Sequence, residues 1–121
     1  MMRVLMLLAF FGIAAAGTTV AEAETFRVVQ DRDSFISIVT GRKLTRLGIA
    51  LNVTDTGAIQ GRAFGKPVSG EWRWENGFFC RSLYHGRRDL GPNCQKVTVR
   101  GDTIRFTSDR GAGIYADLKL R

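Results

Sequence analysis

The stretch Gly70-Glu71-Trp72-Arg73-Trp74-Glu75-Asn76-Gly77-Phe78-Phe79-Cys80-Arg81-Ser82-Leu83 decides the fold. Asn-Gly is the strongest two-residue hairpin signal, because both turn positions need a positive φ that Asn and Gly adopt cheaply. Folding the chain at Asn76-Gly77 pairs Trp74 with Phe79, Trp72 with Arg81 and Gly70 with Leu83. Residues two apart in a strand share a face, so the large apolar side chains fall on one side and Glu71, Arg73 and Glu75 on the other.

The same test extends outward in both directions. Leu47, Ile49, Leu51 and Val53 alternate with polar or small residues, and Asp55-Thr56-Gly57 reads as a three-residue loop. That loop pairs Val53 with Ile59, Leu51 with Gly61 and Ile49 with Ala63. A turn at Lys66-Pro67 sets Gly65 opposite Val68, Ala63 opposite Gly70 and Gly61 opposite Trp72, with rings over glycines. Gly101-Asp102 pairs Val99 with Ile104 and Val97 with Phe106. The loop from Asp109 to Gly113 pairs Ser108 with Ile114 and Phe106 with Ala116. Register agrees with the hydrophobic pattern at each turn, which is how register is specified.

One helix precedes the strands. Asp31 or Asp33 can cap it, Phe35, Ile38 and Val39 share a face, and Gly41 stands where a helix stop belongs. The expected fold is all-β: a small antiparallel up-and-down barrel, or a curved meander, of about seven strands with one short N-terminal helix. Closure into a barrel removes sheet edges and shields the apolar face. A two-layer sandwich, or a sheet covered by the helix, is the alternative.

The chain has 121 residues, which allows one domain. Its first segment reads as an address. Arg3 is followed by thirteen uncharged residues, Val4 to Ala16, and then by Ala21-Glu22-Ala23. That is the order of a secretory signal, and the apolar run falls short of the roughly 20 residues a membrane span needs. A buried core helix is the other alternative. Residues 1–23 are therefore expected to be removed, leaving a single domain over 24–121 in the periplasm or outside the cell, with no membrane span.

The chain carries 18 basic and 11 acidic residues, for a net charge of +7. The cations are spread and never run longer than two, which argues for a solvated surface and against a nucleic-acid stripe. Cys80 and Cys94 are the only cysteines; after export they are expected to form a disulfide. Two cysteines and the single histidine, His85, supply too few ligands for a metal site.

Arg81 is the residue that register singles out. It faces the wall formed by Trp72, Trp74, Phe79 and Leu83, where a guanidinium is costly unless paired or stacked. It is the candidate anchor for an anionic group inside the barrel, with Trp72 as a stacking partner and Trp74 and His85 nearby. The alternative is an arginine bonded to backbone carbonyls or to a core acid. Arg87, Arg88 and Asp89 lie within the segment closed by the two cysteines, the candidate surface for a protein partner. No catalytic motif stands out, and no cofactor is expected. Gly111-Ala112-Gly113-Ile114-Tyr115-Ala116 matches a dinucleotide-binding pattern in letters only, since no helix-forming stretch follows it.

Several runs carry a resemblance: Gly41-Arg42-Lys43-Leu44-Thr45-Arg46-Leu47-Gly48-Ile49, Gly61-Arg62-Ala63-Phe64-Gly65, Trp72-Arg73-Trp74, Phe79-Cys80-Arg81, Asn93-Cys94-Gln95 and Arg105-Phe106-Thr107-Ser108-Asp109-Arg110-Gly111. Together they resemble a family of short secreted bacterial proteins, over nearly the whole length after the signal. Its members often carry the label dihydrodipicolinate reductase. Reductases of that name are longer, cytoplasmic proteins that hold a nicotinamide cofactor in a Rossmann domain, which this sequence lacks, so the label reads as a naming error and no catalytic residue is carried over. The expectation is a non-enzymatic, monomeric binding module for a small anionic molecule. A protein-interaction or inhibitor module is the alternative, and the labelled reductase a weaker one.

Overall fold

Turns bearing glycine fold the chain back on itself at almost every step, so each strand of the barrel pairs with its sequence neighbour. The computed structural model describes residues 25–121, and the signal-peptide reading falls outside them. The elements are β1 (Arg27–Val28), α1 (Arg32–Val39), β2 (Leu44–Arg46), β3 (Ile49–Val53), β4 (Ala58–Ala63), β5 (Lys66–Glu75), β6 (Phe78–His85), β7 (Arg88–Arg100), β8 (Thr103–Thr107) and β9 (Tyr115–Leu120). Strands β2 to β9 form an antiparallel up-and-down barrel, closed where Leu44 of β2 meets Leu120 of β9. The ninth strand, β1, lies outside this ring against β7, through Arg27–Val99 and Val28–Thr98.

The expected all-β barrel is thus present, with eight strands in the ring rather than seven. The missed strand is β2. Leu47 looked like the first apolar position of an alternating run, but it sits in the turn between β2 and β3 and is 95% exposed. The register holds at Asp55-Thr56-Gly57, Asn76-Gly77, Gly101-Asp102 and 109–113. It fails between β4 and β5. There the turn is Phe64-Gly65, both at positive φ, and Gly61 meets Val68 rather than Trp72. The slip is four residues, an even number, so the same side chains still face inward.

Two glycines allow the barrel to curl. A Cβ on Gly70 would lie 2.1 Å from the Ser82 carbonyl oxygen, and one on Gly61 would lie 2.1 Å from that of Ala50. Adjacent backbones approach too closely there for any other residue.

Alternating strands put the turns after β3, β5 and β7 at one end and those after β2, β4, β6 and β8 at the other. Helix α1 closes the first end. Asp31 caps it by accepting from Ser34 N at 2.8 Å. Phe35, fully buried, drives into the barrel against Trp72, Trp74, Phe79 and Phe106, at ring separations of 5.0 to 6.4 Å. Arg32 Nη2 donates to Asp55 O at 3.0 Å, tying the helix to the β3–β4 turn.

Candidate functional site

Ala63 and Val68 are buried at the end opposite α1, but several of their inward neighbours are less covered than those near the helix. Val53, Ile59, Phe79 and Ile104, near α1, are buried, whereas Ile49, Leu51, Leu83 and Ala116, toward the other end, are half-buried. An eight-stranded barrel is just wide enough to be filled by side chains or to hold one small ligand. Here a cavity of about 140 Å³ remains, walled by Leu51, Ile59, Leu83, Phe106 and Leu118. Arg81 and Gln95 are the polar side chains on its wall.

Arg81 stands where its register with Trp72 put it, on the inward face of β6. It is half-buried, and burial pushes its pKa below the ordinary arginine value. Its Nη1 donates to Gly91 O at 2.9 Å. No carboxylate among the described residues pairs with it. Among the described residues, Gly91 O is the one acceptor its guanidinium meets. Gln95, 8% exposed, places Nε2 3.4 Å from Ser108 Oγ.

Arg81 also borders a second hollow of about 250 Å³, where β7 and β8 part company. Their ladder ends at Lys96–Thr107. Beyond it, Asn93 and Asp109 bridge the gap, with Arg73 and Arg110 along its sides.

The other sequence candidates fall elsewhere. Trp72 and Trp74 pack on Phe35 at the closed end and do not line the cavity. Their indole N–H groups donate to Thr54 O at 2.8 Å and Gln30 O at 3.2 Å. The cation over Trp72 is Arg32, at 5.4 Å, rather than Arg81. His85 ends β6, half-buried, with Nε2 2.7 Å from Ala63 O. That contact uses the ring nitrogen as a donor to a backbone carbonyl, and no carboxylate among the described residues joins it.

Cys80 and Cys94 are disulfide-bonded and paired across β6 and β7, with Cα atoms 3.9 Å apart. Glu75 lies beside them, but both sulfurs are consumed by the bond, so the trio offers no thiolate to a metal. The enclosed segment is a hairpin, not a projecting loop. Arg87 is at its turn, Arg88 pairs with His85, and Asp89 pairs with Tyr84. Leu90 is the extra residue of a bulge beside them. No helix among the described residues is long and apolar enough to cross a membrane.

Sequence reasoning could not find Gln95 or the Asn93–Asp109 bridge, since neither type carries a functional signature by itself. Inward parity on β7 was the available signal for Gln95, two residues before Val97. No family model, curated protein or solved structure matches the chain.

Proposed function

We propose that this protein is an exported, non-enzymatic binding module that takes a small amphipathic anion into its barrel. The apolar part occupies the cavity, and the anionic group sits on Arg81. The observation that carries this reading is a half-buried guanidinium on an apolar wall that has, among the described residues, a single backbone acceptor and no counter-charge. Burying an unpaired charge is costly. A carboxylate, phosphate or sulfate would supply the missing acceptors, and Arg binds such groups in a fork. The cavity volume matches the roughly 150 Å³ known to accept one benzene ring, so the apolar part is a ring or a short tail. Gln95 supplies a further polar contact. Export is supported by the secretory pattern of residues 1–23 and by the disulfide, a bond that persists in oxidising compartments.

Residues 25–121 contain the whole ring, its helix and its disulfide, so residues 24–121 suffice for the test. Benzoate and hexanoate, titrated in turn, should shift the Gln95 side-chain amide and the Arg81 Nε resonances, while benzyl alcohol should bind more weakly. Arg81→Met keeps the side chain's length and removes its charge. It should fold as well as the parent and lose at least tenfold in benzoate affinity. Unchanged benzoate binding by a folded Arg81→Met protein overturns the reading, as does failure of the parent to bind either anion at millimolar concentration.

A further inference from the structure

The four turns at the end opposite α1 share a composition that the other turns lack. Each carries, in or beside it, a large apolar side chain held out in water: Leu47 at 95% exposure, Phe64 at 69%, Leu90 at 45% and Ile114 at 84%. Three of them also carry an exposed cation, namely Arg46, Lys66 and Arg87, whereas Arg110 of the fourth lays its guanidinium over Phe78 on the barrel flank. Arg62 and Arg88 bring the basic residues there to five, against two carboxylates, Asp89 and Asp109. At the closed end, the turns present Asp55, Asn76 and Asp102 instead.

Phe64 shows that this composition has a cost. It occupies the first position of a two-residue hairpin turn at φ 53°, where Asn or Gly is favoured and an aromatic residue is strained. Its N–H donates to Gly48 O at 2.8 Å. Its ring lies where a Cβ on Gly48 would come within 2.8 Å of it, so it lies over the β2–β3 turn. The fold gains no core packing from Phe64 or Leu47.

We propose that this open end docks on the surface of an anionic lipid bilayer. Apolar side chains on separate hairpin tips suit shallow insertion among acyl chains, and the cations between them suit anionic headgroups. A protein partner would have to match the shape of four separate tips at the packing density of an interior, whereas fluid acyl chains need no such match. The barrel lies on the bilayer and does not span it, because outward positions of β5 are Ser69, Glu71, Arg73 and Glu75. The proposal rests on the rim alone and is independent of Arg81.

The test is co-sedimentation of residues 24–121 with vesicles of phosphatidylcholine alone and of phosphatidylcholine with phosphatidylglycerol. Binding is expected only to the anionic vesicles, and it should weaken as salt rises. Phe64→Asn relieves the turn, so it should melt no lower than the parent yet bind at least tenfold less. Arg87→Ser should lose about fivefold, the usual contribution of one cation at an anionic surface, while Arg81→Met should bind like the parent. Equal binding to neutral vesicles, no binding to anionic ones, or full binding by a folded Phe64→Asn protein overturns the proposal. A concentration-dependent dimer that Phe64→Asn abolishes, without vesicle binding, also overturns it and assigns the rim to a second copy of the chain.

Discussion

Asn93 and Asp109 are joined by two reciprocal hydrogen bonds where the β7–β8 ladder has stopped. Asn93 Nδ2 donates to Asp109 Oδ1 at 2.8 Å, and Asp109 N donates to Asn93 Oδ1 at 2.9 Å. Asp109 and Arg110 both hold positive φ angles, a strained conformation for residues with a Cβ. The clip therefore holds the 109–113 turn in place and covers the flank beside Arg81. Asn93→Ala should cost about 1–2 kcal/mol, seen as a drop of several degrees in Tm. The effect should be local. Hydrogen exchange at Ala112 and Gly113, whose amides bond within this turn, should accelerate more than exchange in β5. Unchanged protection at those two amides would show that the clip does not support the turn.

Phe35 is the keystone of the closed end. It touches four rings and is the one aromatic residue of α1. Phe35→Ala should lower stability by about 3–5 kcal/mol, the range for emptying a buried aromatic site. Phe35→Leu should recover a good part of that loss. Urea midpoints for the two variants give the comparison; equal midpoints for Phe35→Ala and the parent would mean that the helix does not plug the barrel.

The parts legible in the sequence were those that parity and turn chemistry determine. Asn76-Gly77 and Asp55-Thr56-Gly57 fix register because their backbone needs are specific, and Arg81's inward position followed from parity alone. Lys66-Pro67 misled because proline is a common turn residue, whereas the chain turns two residues earlier on a phenylalanine in an unfavoured conformation. Leu47 misled because an exposed leucine at a turn looks the same as a core leucine in an alternating run. Both errors fall on the open rim, where local preference and observed structure disagree. Arg81's acceptor could not be read either, since it depends on the β6–β7 register that sets Asn93 opposite Arg81 and Gly91 opposite Leu83, a pairing that none of the turn signals gave.

The Cys80–Cys94 bond staples a hairpin whose ladder already spans β6 and β7. Its contribution therefore falls mainly on the unfolded chain, about 3 kcal/mol for a loop of this length. A Cys80→Ala/Cys94→Ala double variant should keep the far-ultraviolet spectrum of the parent and unfold at a lower urea concentration. A variant without native β-structure would show that the bond is required to form the barrel; an unmoved midpoint would show that it contributes nothing.

Acid should weaken the fold through Asp117. Arg105 faces it across β8 and β9 and grips both oxygens, at 2.7 and 3.0 Å. The guanidinium is held between the Phe26 and Tyr115 rings, whose centroids lie 4.0 and 3.8 Å away. That grip keeps the Asp117 carboxyl below its ordinary pKa, with the hydrogen bond from Arg105 as the main cause. Asp102 is lowered in the same direction by Lys119. A carboxyl with a depressed pKa in the folded state is protonated first in the unfolded chain, so its contribution is complete above the unfolded value, about pH 4. It disappears as pH falls through the lower, folded value. Tm should thus stay level in this respect between pH 7 and 5 and fall below about pH 4. Asp117→Asn should melt below the parent at pH 7, and the difference should narrow as pH falls below about 4. A difference that stays constant across that range would show that the Arg105–Asp117 pair does not drive the acid loss.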